Sequence, residues 1–176
     1  KKDVVVGISA SGRTPYVVSA LRYAKSVGVK TAAITCVENS PITEHADIKV
    51  VVKTGPEVIT GSTRMKAGTA QKMVLTMLST AVMVKLGRVY GNLMVALQPV
   101  SQKLRERAKR IIMMEAGVSY EEASRILEET GYDVVAAIVM AVAGVGYGEA
   151  VKLLQQANYI PTKAIELARR LRGGEK

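Results

Sequence analysis

Apolar and polar positions change period along this chain, and each change predicts a different element. Val4-Val5-Val6-Gly7-Ile8-Ser9 is a continuous, largely β-branched run, the pattern of a buried parallel strand. Ser9 to Thr14 breaks it as a turn. Thr14 followed by Pro15 predicts a helix start, with Thr at the N-cap and Pro at the first helical position. Val17, Val18, Leu21, Ala24 and Val27 then trace one helical face, which Gly28 ends. Thr31 to Val37 predicts a second strand, Glu38 to Asp47 a polar loop, and Ile48 to Val52 a third strand. Strand, helix, strand in that order is a βαβ unit, which requires a parallel sheet with a right-handed crossover.

After the third strand the period becomes helical. Gly55 to Ser62 reads as a long loop, and a helix is expected from about Thr63 to Leu86, stopped by Gly87. Another is expected from about Leu93 through Lys103 to Arg110, with Pro99 kinking or restarting it. Beyond Gly117 the character changes again. Ser119-Tyr120-Glu121-Glu122 is a capping box, whose helix should end at Gly131. Asp133 should cap the next helix, Val134 to Val142, and two short helices follow the Gly144–Gly148 turn. The fold class is therefore α/β: a three-stranded parallel sheet flanked by helices, then a small C-terminal helical bundle. The expected division is residues 1–100 and 101–176. Parallel sheets usually hold about five strands, and this chain opens on a strand. The expectation is that chain N-terminal to Lys1 shares the same domain, or that a partner completes the sheet.

Charge adds one point. The net charge is +10, and residues 1–100 hold thirteen Lys/Arg against five Asp/Glu, whereas residues 101–176 hold twelve against ten. A basic first half suits an anionic ligand, or is a solvated surface. Cys36 is the single cysteine, which excludes an intrachain disulfide and suits a reducing compartment. The apolar stretch Met73 to Leu86 is broken by Thr76, Ser79, Thr80 and Lys85 and is too short for a membrane span.

Two hydroxyl-rich loops carry the candidate chemistry. Ser9-Ala10-Ser11-Gly12-Arg13-Thr14 lies at the carboxyl end of the first strand, where ligands of open α/β sheets bind. It offers Ser9, Ser11 and Thr14 hydroxyls, Gly12, and the amides of a helix N-terminus, a combination that suits phosphate. A plain turn with a cap would use the same residues. Thr60-Gly61-Ser62-Thr63-Arg64-Met65-Lys66 repeats the logic. Arg64 and Lys66 at a helix start oppose the helix dipole, which favours a bound anion or an acidic partner such as Glu57. Neither loop matches a nucleotide-binding glycine motif.

The stretches Gly7-Ile8-Ser9-Ala10-Ser11-Gly12-Arg13-Thr14-Pro15-Tyr16, Glu57 through Lys72 and Gly91-Asn92-Leu93-Met94-Val95 resemble the N-acetylmuramic acid 6-phosphate etherase family. The resemblance extends over essentially the whole chain, as the C-terminal portion of such an enzyme. It implies a partial SIS (sugar isomerase) fold and a cytoplasmic, metal-free lyase of cell-wall recycling. Such a lyase cleaves the lactyl ether at C3 to give N-acetylglucosamine 6-phosphate and D-lactate. Elimination across C2–C3 followed by addition of water needs a base and an acid. The family's two catalytic glutamates belong to the N-terminal half, so no catalytic residue is assigned in this chain. Substrate binding is implied for Ser9, Ser11, Gly12, Thr14, Glu57, Ser62, Thr63, Arg64 and Lys66. Glu57 has three readings: a bond to a sugar hydroxyl, acid–base work, or a salt bridge to Arg64 or Lys66.

The expected partners are an amino-sugar phosphate and a second copy in a homodimer, with no nucleic acid, membrane, metal or cofactor. Two other readings are a non-catalytic sugar-phosphate regulatory module and a self-associating half-domain without ligand. His45 reads as a loop residue and Cys36 as core. Met65, Met73, Met77 and Met83 read as packing on one helix. Lys103 to Arg110 reads as a solvated helix face, because no aromatic residues interleave it.

Overall fold

A computed structural model describes residues 2–173 and divides the chain into two compact units, 1–79 and 80–176. The division falls inside a helix, earlier than the expected boundary at residue 100.

The first unit is the βαβ unit that the periodicity requires. Strands β1 (Val4–Ile8), β2 (Lys30–Thr35) and β3 (Ile48–Val51) form a parallel sheet in the order β1-β2-β3. Val5 is in register with Thr31, and Ala33 with Lys49. Helix α1 (Pro15–Ser26) packs on β1 and β2, burying Leu21 and Ala24. Gly7 makes this possible. A Cβ there would lie 2.6 Å from Leu21 Cδ1 and 2.8 Å from Val17 Cγ1, so any side chain would push α1 off the strand. The core is small: Leu21, Ala33, Ile42 and Ala46, with Val5, Val17 and Val18 against it.

The expected polar loop from Glu38 to Asp47 is more structured than its composition implied. It contains a one-turn helix, α2 (Pro41–Glu44), and Ile42 is wholly buried. The Ser40-Pro41 pair is the same N-cap and first-turn signal seen at Thr14-Pro15, and the one apolar residue behind it anchors the turn. Asp47 fixes the end of this segment, its Oδ2 accepting from the Thr31 amide at 3.0 Å and the Thr31 hydroxyl at 3.2 Å.

Helix α3 (Lys66–Lys85) begins three residues later than the pattern implied. It is apolar around most of its circumference, yet Ala67 is its only buried residue. Met65, Met73, Met77 and Met83 are each at least half exposed, so the expectation that they pack is overturned. No single helix among the described residues is long and apolar enough to cross a membrane.

The second unit corrects another expectation. No helix starts at Leu93. Strands β4 (Val89–Tyr90) and β5 (Leu93–Met94) pair antiparallel around a Gly91-Asn92 turn, in which Gly91 has φ +56°. Two-residue hairpins favour residues that adopt positive φ. Val95, Leu97 and Pro99 then follow without regular secondary structure and are buried. Ser101 starts α4 (Gln102–Ala116) by accepting the Leu104 amide. The bundle continues with α5 (Tyr120–Glu129), α6 (Val134–Ala143), α7 (Tyr147–Gln156) and α8 (Pro161–Gly173). Helix α6 is the centre, contacting α4, α5, α7 and α8. Its small residues Ala136, Ala137 and Ala143 are buried and let neighbouring helices approach closely. Ser119 and Asp133 cap as expected, the latter accepting from the Val135 and Ala136 amides at 3.0 and 3.1 Å. The basic run on α4 is partly engaged inside the unit. Arg105 lies 4.8 Å from the Tyr132 ring centroid, and Lys109 meets Glu106 and the Tyr120 hydroxyl.

Replacing Asp133 with Ala should cost about 1 kcal/mol, the usual loss for an N-cap, measured by urea unfolding. Replacing Met77 and Met83 together with Glu should leave stability within about 0.5 kcal/mol, as at exposed sites. The same double variant should bind less hydrophobic dye and associate less at high concentration.

Candidate functional site

The first loop is a closed turn held from within. The strand ends at Ile8, and the Ser9 amide donates to the Ile34 carbonyl at 3.0 Å, so the loop leaves from the carboxyl end of the sheet. The Gly12 amide turns back to Ser9, lying 3.1 Å from both its carbonyl and its hydroxyl oxygens. The Ser9 hydroxyl also lies 2.9 Å from the Thr14 hydroxyl, and the Arg13 amide donates to Ser11 Oγ. The structure therefore brings Ser9, Ser11, Gly12 and Thr14 into one turn.

Thr14 departs from the expected role. It occupies the N-cap position of α1, but its side chain makes no capping bond. Its hydroxyl goes to Ser9 instead. Pro15 has no amide hydrogen, and the Val18 amide is bonded to the Thr14 carbonyl. The intervening amides of Tyr16 and Val17 belong to the first turn, where a helix lacks internal partners. This end of α1 thus carries positive potential without a side-chain cap, at the mouth of a turn rich in hydroxyls.

The underside of the loop is fastened to the segment after β2. The Ala10 carbonyl accepts from the Cys36 amide at 3.0 Å and the Thr35 hydroxyl at 3.3 Å. The Gly12 carbonyl accepts from the Ile42 amide at 3.1 Å. Cys36 is a free, half-buried thiol whose main chain helps hold the loop.

The second loop is organised around Glu57. Its carboxylate accepts from the Lys66 amide at 3.1 Å and the Ala67 amide at 3.0 Å, so it caps α3 with both oxygens. These backbone bonds, that of Ala67 foremost, hold its pKa below the ordinary 4.5, helped by the Lys66 charge and opposed by partial burial. No salt bridge among the described residues links Glu57 to Arg64 or Lys66, so that reading is replaced by a cap. The anion that the basic residues called for at this helix start is, in this structure, the protein's own carboxylate. Ser62 is half-buried, while Thr63, Arg64 and Lys66 are exposed. The Thr63 carbonyl accepts the Gly68 amide and so leads the chain into α3. No hydrogen bond among the described residues joins the two loops.

Two polar groups were not singled out by the sequence. Ser40 is 2% exposed, and its hydroxyl has no hydrogen-bond partner. Gln71 Nε2 is likewise buried and unpaired. Gln71 lines a cavity of about 490 Å³ between Ile8 and α3, together with Lys72, Leu75, Thr76 and Ser79. Gln71 falls in the stretch that carries the family resemblance, whereas nothing in the local pattern marks Ser40 beyond its place before Pro41. His45 only lends its carbonyl to the Thr31 hydroxyl, and no group of His, Cys, Asp and Glu among the described residues is arranged to hold a metal.

Comparison with known proteins gives two results. Residues 1–81 match the SIS domain. N-acetylmuramic acid 6-phosphate etherase of Geobacillus thermodenitrificans is 60% identical over 138 residues, 78% of this chain and 47% of that protein. The proteins of that name from Clostridium botulinum (strain Loch Maree / Type A3) and Clostridium beijerinckii are 57% and 54% identical over the same length. The chain spans about half the length of the curated relatives it matches.

The Glu57 cap fixes the sign of one pH effect. Its folded pKa is depressed, so its contribution is complete above the ordinary 4.5 and is lost as pH falls through the lowered folded value. Hydrogen exchange at the Lys66 and Ala67 amides should lose protection through that acid window. In a Glu57→Gln variant the same amides should be less protected at neutral pH, and the acid step should vanish.

Proposed function

This chain carries a SIS domain and is by sequence a relative of the N-acetylmuramic acid 6-phosphate etherases, and we propose that it supplies the sugar-phosphate-binding part of such an enzyme. The substrate is N-acetylmuramic acid 6-phosphate, and the reaction is cleavage of its D-lactyl ether to N-acetylglucosamine 6-phosphate and D-lactate in the cytoplasm.

The observation that carries this reading is the uncapped start of α1. Thr14 spends its hydroxyl on Ser9 rather than on the helix, which leaves the first-turn amides facing a turn with three hydroxyl groups. A phosphate placed there accepts from those amides and from Ser9, Ser11 and Thr14, and the helix dipole favours its charge. Hydroxyls suit this task because they donate to phosphate without the cost of burying a permanent charge.

The second loop then contributes differently from the first. Glu57 shapes it, because its carboxylate is already committed to the α3 amides. Ser62, Thr63, Arg64 and Lys66 remain on the outside of that turn, where they meet the sugar or its lactyl carboxylate. The acid and base of the elimination come from the remainder of the enzyme, and a homodimer is the assembly in which we place it. Cationic Arg64 and Lys66 near a carboxylate leaving group would stabilise departing lactate electrostatically.

Titrating the chain with N-acetylglucosamine 6-phosphate should shift the amide resonances of Ser11, Gly12 and Arg13, while unphosphorylated N-acetylglucosamine should not. Thr14→Val should weaken binding by about tenfold, the worth of one hydrogen bond to a charged group. Absence of any shift at millimolar ligand would remove the proposal. Release of lactate by this chain alone at enzymic rates would show that the acid and base lie within it.

A further inference from the structure

The Ser40 hydroxyl needs a reason to exist. It sits beneath the first loop, 2% exposed, with no partner among the described residues. Its main chain is fixed, because the Ser40 carbonyl accepts the Thr43 amide at 2.8 Å and the Thr43 hydroxyl at 2.7 Å. A buried hydroxyl left unpaired is unfavourable, and alanine would fill the same space without that cost.

Its neighbour in space is Gly12. A Cβ on Gly12 would lie 2.1 Å from Ser40 Oγ and 2.9 Å from Thr35 Oγ1. Gly12 also has φ +65°, so this position excludes any side chain twice over. The result is a bare stretch of backbone resting on an unused hydroxyl. Above that backbone, the Ser9 hydroxyl bonds both the Gly12 amide and the Thr14 hydroxyl, and the Gly12 amide also donates to the Ser9 carbonyl. A phosphate that accepts from those groups competes for the two bonds of the Ser9 hydroxyl, which loosens the turn on that side while the Ile42 amide still holds the Gly12 carbonyl.

We propose that Ser40 is a positioning residue for this loop, giving the backbone at Gly12 a hydrogen bond in the anion-bound state that it does not make in the free state. The inference rests on the reading of Ser9–Thr14 as a phosphate site. It adds that the site has two hydrogen-bonding arrangements, and that Ser40 favours the one that holds a phosphate monoester. The unpaired hydroxyl disfavours the free arrangement, so binding gains what the free loop lacks. Ser40 touches the loop and not the ligand.

The test is Ser40→Ala in the 176-residue chain, read by two measurements. Thermal unfolding without ligand reports on the free state. Titration with inorganic phosphate and with N-acetylglucosamine 6-phosphate, followed at the Ser11, Gly12 and Arg13 amides, reports on the bound state. The expected pair is a midpoint unchanged or raised, and affinity for both ligands weakened by about tenfold, as for loss of one hydrogen bond. A purely structural serine would show the reverse: a lowered midpoint, or a chain that no longer folds, would overturn the proposal. Unchanged affinity would overturn it as well while leaving the phosphate site standing, provided the parent chain binds. Failure of the parent chain to bind either ligand would remove both.

Discussion

The first unit depends on how closely α1 lies on β1. Gly7 permits that approach, since Leu21 and Val17 occupy the space where its side chain would be. Because the helix is held down at this point, its N-terminus meets the carboxyl end of the strand across only six residues, Ser9 to Thr14. Those residues are then forced into a tight turn, and their hydroxyls and amides converge. The chemistry of the loop is thus a consequence of a packing contact one strand residue pair away.

The same unit shows two ways to finish a helix start. At α1 the cap position is filled by Thr14, yet its hydroxyl is drawn to Ser9, and the helix end remains open to an anion. At α3 the end is closed by Glu57 through two backbone bonds. Similar local sequences, rich in Ser, Thr and Gly, therefore serve different purposes. One end is left available, and the other is spent on holding a long helix in place. That difference underlies the proposal of a phosphate at the first loop, while Glu57 in the second is committed to capping α3.

The two units also differ in how they are stabilised. The second has a continuous core from Val95 to Ala168, organised around α6. The first buries seven apolar residues, only four of them in one cluster, and its first strand leaves Val4 and Val6 exposed. Helix α3 adds a largely uncovered apolar surface. Apolar side chains in such numbers on one helix are the mark of a surface made to be covered.

Much of this was legible in the sequence because it rests on local patterns. The β-branched run at Val4, the Thr14-Pro15 start, and the Ser119 and Asp133 caps each depend on a few neighbouring residues. The candidate phosphate loop was legible for the same reason. Other features depend on which distant groups meet, and the sequence left these open. Periodicity pointed to a helix at Leu93, where a two-residue turn makes a hairpin and buried Val95 and Leu97 follow in an irregular segment. It read Met65, Met73, Met77 and Met83 as packing, although packing requires a neighbour that periodicity does not supply. Whether Glu57 would pair with a cation or with amides was undecided until the chain brought it to the start of α3. Ser40 gained meaning only when folding set it under Gly12, because hydrogen bonding depends on distance in space and not along the chain.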